Sequence, residues 1–212
     1  MLSSLRYMDL SWVNSRRAFA DAAEWFVSTA ALVTEDGWTS PGLGEWDVRS
    51  LVGHTSRSLL TVEAYLSRPA EAIEVESAAG YFQATRAISL GADVAARGRE
   101  AGDALGEDPA GAVADIAARV LPLVDTHDGN ELITTIVGGM RLRDYLPTRT
   151  FELVVHTADL ATALHLPPDV PATPAAQALE LVAQLAVAEA LAGPLLLAAT
   201  GRQGLPAGFT VL

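Results

Sequence analysis

The stretch from Arg149 to Asp159, reading R-T-F-E-L-V-V-H-T-A-D, leaves this chain few ways to fold. Phe151, Leu153, Val154, Val155 and Ala158, followed by Leu160 and Ala161, put apolar groups on nearly every side of a helix, so that helix is expected to be buried. Yet Glu152, His156 and Asp159 recur at steps of four and three residues, which places them on one face. Arg149 stands beside them, one turn before Glu152. Ionisable groups inside a core are costly unless they are paired or bind something. Carboxylates and an imidazole at this spacing are donors that a metal ion accepts.

The composition says what surrounds such a helix. Half of the 212 residues are hydrophobic but only 6% are aromatic, which points to helices packed on helices rather than to a sheet protein. The length fits one domain with a substantial core, residues 1–212 throughout. With 26 acidic against 14 basic residues and a net charge of −12, the surface is wrong for nucleic acid, which needs clustered Lys and Arg. Cysteine is absent, excluding disulfides, Cys-ligated zinc and a thiol nucleophile of the protein's own. The first ten residues lack an apolar signal core, so a cytoplasmic protein is expected. The greasiest region, residues 175–199, carries Gln177, Glu180, Gln184 and Glu189 at helical spacing, then breaks at Gly193-Pro194, and reads as a buried amphipathic helix, not a membrane span.

Periodicity predicts helices over about 10–33, 47–67, 78–105, 112–124, 143–164 and 174–199. Phe19, Ala22, Phe26, Ala30 and Val33 form the apolar face of the first. Asp47 is the expected N-cap of the second, with Trp46 stapled onto Leu51, and Val48, Leu51, Val52, Leu59, Val62 and Leu66 inside. The third should bury Phe82, Ile88 or Ala87, Ala92 and Ala95. Leu132 to Val137 is strand-like, forming either a short hairpin or an extended crossover. Pro147 falls in the first turns of the charged helix, where it costs at most one backbone hydrogen bond. Thr173-Pro174 is the expected start of the last helix. The fold class is therefore all-α, a four-helix bundle with a short extra helix and a minor extended segment.

Bundles build metal sites from facing helices. One helix offers Glu152 and His156; another offers His54, at the edge of its apolar stripe. Two imidazoles and one carboxylate leave a coordination position open, the pattern of catalytic rather than structural zinc. Asp159 would be a fourth ligand, or would steady a ligand or meet Arg149 from behind. Each residue also has a plainer reading: His54 as a packing residue, Arg149–Glu152 as an intrahelical ion pair, His156–Asp159 as a polar contact. His127 is expected to be solvated in a turn, and His165 to point away from His156.

Three segments carry a resemblance: E-W-D-V-R-S-L-V-G-H (45–54), R-L-R-D-Y-L-P-T-R-T-F-E-L-V-V-H-T-A-D-L (141–160) and T-G-R-Q-G-L-P-A-G-F (200–209). They resemble the mycothiol-dependent maleylpyruvate isomerase family, a branch of the DinB-like metal-binding bundles. The resemblance implies a DinB-like fold, a divalent metal (zinc foremost) on His54, Glu152 and His156, and mycothiol as thiol cosubstrate. It also implies an actinobacterial setting and a small electrophile that receives the thiol. A chain without cysteine would then take its nucleophile from the cosubstrate. Arg149 would orient Glu152 or neutralise an anionic cosubstrate, and Asp159 would support the ligands. The family's named isomerase has a further C-terminal domain contributing to its active site. With none expected after the last helix here, thiol addition or transfer is expected in place of maleylpyruvate isomerisation.

Two other readings start from the same residues. Two His and one carboxylate also describe the non-haem iron(II) triad. A non-catalytic bundle that binds a small ligand or dimerises would use the polar row only as a buried network. No sequence feature marks a dimer face, and a homodimer is left open.

Overall fold

The computed structural model describes residues 10–89 and 93–212. In chain order it consists of α1 (Leu10–Ala30), a 3-10 turn (Glu35–Thr39), β1 (Pro41–Leu43), β2 (Trp46–Asp47), α2 (Val48–Leu66), α3 (Ala78–Ser89), α4 (Asp93–Asp103), α5 (Pro109–Asp125), β3 (Leu132–Thr135), β4 (Gly138–Arg141), α6 (Leu142–Ala163), α7 (Ala172–Ala188) and α8 (Ala192–Ala199). The two sheets are antiparallel pairs, β1 with β2 and β3 with β4. Helix α6 lies at the centre, packed against α1, α2, α3 and α7.

Local chemistry sets most boundaries. Phe19, Ala22, Phe26 and Ala30 of α1 are fully buried, at the spacing expected, while Leu32 beyond the helix end is exposed. The Asp47 carboxylate accepts from Ser50 N at 2.7 Å, capping α2. Trp46 and Leu51 both lie in the core. The strand-like stretch is a hairpin in which Ile133 faces Met140, both buried, and it delivers the chain directly into α6. Gly138, at φ 108, supplies the left-handed backbone at its turn.

Several expectations need correction. The α5 helix begins at Pro109, three residues before the predicted start, because Asp108 caps it by accepting from Gly111 N and proline is well suited to the first turn. The final helix is two helices. The chain reverses through Ala190 at φ 57, with Leu191 N bonded back to Ala186 O at 2.7 Å, a left-handed helix stop ahead of the Gly193-Pro194 pair. Its N-cap position is Pro171, so Thr173 and Pro174 already lie inside the first turn. The stretch predicted as one helix over 78–105 is described as α3 and α4, and residues 90–92 lie outside the described residues. The side chains of Ala87, Ile88 and Ala92 are likewise outside them. No described helix is long and apolar enough to cross a membrane.

Helix α2 rests on α4 at backbone distance. A Cβ added to Gly53 would collide with the backbone of Ala101 and Gly102, and one on Gly102 would meet Arg49 O at 2.9 Å. Gly98 is equally constrained, since a Cβ there would enter the Trp46 indole. Gly53→Ala is therefore expected to cost about 1–3 kcal/mol or more from overpacking, against about 1 kcal/mol gained in helix propensity. Gly193→Ala, where an added Cβ meets nothing within 4 Å, should leave the denaturant midpoint unchanged or raised. Equal midpoints for the two variants would contradict the close approach.

Candidate metal centre

Helix α6 carries a polar stripe through the core. Tyr145, Arg149, Glu152, His156 and Asp159 follow at steps of four, three, four and three, so they line one side of the rod. Across from Glu152 and His156 stands His54 of α2, and donor atoms of these three side chains all lie within 4.8 Å of one another. The His54 and His156 rings are 4.8 Å apart between centroids and almost perpendicular, at 85°.

His156 is held at both nitrogens. Its Nε2 lies 3.1 Å from Glu152 Oε2, and its Nδ1 lies 3.1 Å from Asp159 Oδ2. Burial works against a charge on this ring, but the bonds to Asp159 and Glu152 outweigh it and raise the pKa to about 9. Without a metal the ring is an imidazolium donating one N–H to each carboxylate. Burial would push the Glu152 carboxyl up. The His156 hydrogen bond and the Arg149 charge overcome it, bringing the pKa to about 2. For His54, burial and then repulsion from His156 lower the pKa to about 4, so it offers a neutral lone pair at neutral pH.

This donor set fits a divalent cation. Nitrogen and carboxylate oxygen are ordinary zinc ligands, and three of them leave a position open. With Asp159 on Nδ1, His156 presents Nε2 to the common point, the arrangement by which outer carboxylates orient metal-ligating histidines. A cation there would displace the His156 proton, so its uptake should release protons and strengthen as pH rises toward 9.

Two aromatic supports escaped the sequence. The Trp46 ring lies 4.5 Å from that of His54, and its Nε1 donates to Ala95 O of α4 at 3.1 Å. Arg149 packs against Tyr81 and Tyr145, with its Cζ 5.2 and 5.1 Å from two ring centroids that are themselves 5.5 Å apart. Tyr145 stands four residues before Arg149, a neighbour that helical spacing could have named; Tyr81, on α3, gives no local signal. Among the described residues no carboxylate forms an ion pair with Arg149, so the plainer reading of Arg149–Glu152 as an intrahelical pair is not met, nor is the alternative of Asp159 meeting Arg149. His127 is not a solvated turn residue: its Nδ1 lies 2.8 Å from Leu123 O. His165 is exposed, at φ 58. A cavity of about 490 Å³ between α1, α6 and α7, lined by Trp12, Asp144, Gln177 and Glu180 among others, shares no residue with the three converging side chains.

A helical bundle with His and Glu side chains converging from facing helices defines a class, the bundles with a metal-type donor cluster. The chain belongs to the family described as the mycothiol maleylpyruvate isomerase N-terminal domain, which matches residues 19–161. That range takes in His54, Glu152 and His156 and agrees with the mainly helical DinB-like fold; the third resembling segment, 200–209, lies beyond it. Comparison with curated proteins and with solved structures gave no match.

The three shifts fix how the metal-free protein responds to pH. His156, raised to about 9, contributes stability fully present below the ordinary histidine value of 6.5 and lost as pH climbs through 9. His54, lowered to about 4, does the reverse, since the unfolded chain takes up its proton first as pH falls below 6.5. Glu152, lowered to about 2 from 4.5, removes further stability in the acid range. Thermal unfolding in chelator should therefore show greatest stability near pH 6.5. His156→Asn should abolish the decline toward pH 9 and also shrink the acid limb, because His156 helps to lower both Glu152 and His54. An alkaline decline of the same size in that variant would refute the double grip on the ring.

Proposed function

We propose that the protein binds a divalent cation, zinc foremost, through His54, Glu152 and His156, and uses it to pass a low-molecular-weight thiol to a small electrophile. The observation that carries this reading is the approach of three donor atoms to within 4.8 Å from helices far apart in sequence, with Asp159 behind one of them. The family points to mycothiol as the thiol, and hence to an actinobacterial cytoplasm as the setting. Bound at that point, such a cation would hold a thiol as thiolate near neutral pH, against a free value of roughly 8.5.

The chain's own groups then have separate tasks. His54 and His156 supply neutral nitrogen donors and Glu152 a carboxylate that stays ionised. Asp159 takes the His156 Nδ1–H and fixes the ring. Thiol addition forms one S–C bond as a π bond of the electrophile opens, with the thiol proton returned to the adjacent atom; transfer instead expels a leaving group that takes that proton, and neither requires a redox partner. The reaction is a transfer or an addition–elimination isomerisation, performed by one DinB-like unit comprising the whole chain.

A second reading has an observation of its own. His156 is already satisfied by two carboxylates, which suits a buried polar network in a bundle without catalysis. Elemental analysis separates the two. Wild-type protein should carry about one divalent ion per chain and His54→Ala almost none, with both retaining their helical circular dichroism. Asp159→Asn should weaken metal affinity about 10–100-fold. Equally negligible metal in all three after growth and dialysis with zinc would favour the network.

A further inference from the structure

The two histidines of the donor cluster are held by different means. His156 has a carboxylate on each nitrogen, both at 3.1 Å. His54 has neither: among the described residues its ring makes no hydrogen bond. A metal-ligating histidine ordinarily has its second nitrogen bonded to a carboxylate, a carbonyl or water, and that bond sets the plane of the ring. The backbone at His54 is fixed, because the preceding Gly53 lies against the backbone of Ala101 and Gly102. What remains free is the side chain, and the outer torsion of a histidine is broad. The ring contacts that limit it are aromatic. The Trp46 indole lies 4.5 Å away with its plane tilted by 34°, and the His156 ring lies 4.8 Å away at 85°.

From this geometry we infer that Trp46 is the positioning residue of His54, doing by ring contact what Asp159 does for His156 by a hydrogen bond, and that α4 sets the indole. Trp46 is itself tied down from several directions. It is 9% exposed, it sits opposite Leu43 in the β1–β2 pair, and its Nε1 donates to Ala95 O of α4 at 3.1 Å. Three residues further along α4, Gly98 leaves open the space that the indole fills, since a Cβ there would enter the ring. Arg49 fastens the C-terminal end of the same helix, its Nε donating to Gly102 O at 3.0 Å. Helix α4 thus contributes no donor to the cluster, yet it decides through one indole where a donor points. An aromatic pair of this kind is worth on the order of twofold to tenfold in an equilibrium constant beyond the area it buries. The consequence for metal affinity rests on the proposed metal reading; the ordering of the His54 ring does not.

The test reads cobalt(II) affinity and ligand-field absorption, together with carbon-13 order parameters of the histidine rings in metal-free protein. The His54 signal is assigned by its absence from His54→Ala. In wild type the His54 ring should be as ordered as that of His156. Trp46→Leu should bind cobalt about tenfold more weakly, and Trp46→Phe, which keeps a ring but loses the bond to Ala95, should fall between. Gly98→Ala alters neither a ligand nor Trp46, yet should weaken cobalt binding and shift its absorption. In each variant the order of the His54 ring should fall while that of His156 is kept, a selectivity that a general loss of stability does not produce. A His54 ring as ordered in folded Trp46→Leu and Gly98→Ala as in wild type overturns the inference, and so does equal loosening of both rings. Where those two variants fail to fold, Trp46→Phe decides by the same readings. Failure of wild type to take up cobalt sinks the metal reading alone, and the metal-free order parameters then decide the role of Trp46.

Discussion

One imidazole gripped at both nitrogens by carboxylates makes the rest of the bundle workable. Without that grip, α6 would hold two acidic groups and a histidine half-buried at the edge of the core with their charges unpaired. With it, the three groups satisfy one another along a single face, and the other faces of α6 are free to bury Leu146, Leu153 and Leu160 against neighbouring helices. The same bonds orient the His156 ring toward α2. Stability and the candidate chemistry therefore share their hydrogen bonds, and a change to one acts on the other.

The row was readable because helical spacing is a property of sequence. Glu152, His156 and Asp159 had to share a face wherever α6 came to lie. His54 was readable for a different reason: Asp47 and the apolar stripe after it fixed the phase of α2, which put His54 at the border of the core. Whether His54 faced α6 depended on packing between segments about a hundred residues apart, and no local pattern encodes that. Tyr81 was hidden for the same reason, as was the contact between Trp46 and His54.

Boundaries followed a similar division. Where a cap residue and a proline coincide, at Asp108 and Pro109, the start signal was present in the sequence, three residues ahead of where apolar periodicity alone placed the helix. The reversal at Ala190 was signalled only by the Gly193-Pro194 break three residues on, because alanine is among the best helix formers and reaches φ 57 only when the flanking hydrogen bonds impose it. The Arg149–Glu152 ion pair was a plainer reading that spacing alone allowed. Two aromatic rings and a competing imidazole took the partners instead, and spacing cannot rank such rivals.

The glycine contact between α2 and α4 bears on which parts of the bundle can change shape. Directly behind His54, backbone meets backbone at Gly53 and Gly102, so that wall has no side chain to trim and no room to retreat. Helix α3 meets α6 differently, through Tyr81 on Tyr145 and Phe82 on Phe151, rings whose size can change by substitution. Sequence variation that alters the shape of this bundle has room at the α3–α6 contact and none at the glycine seam.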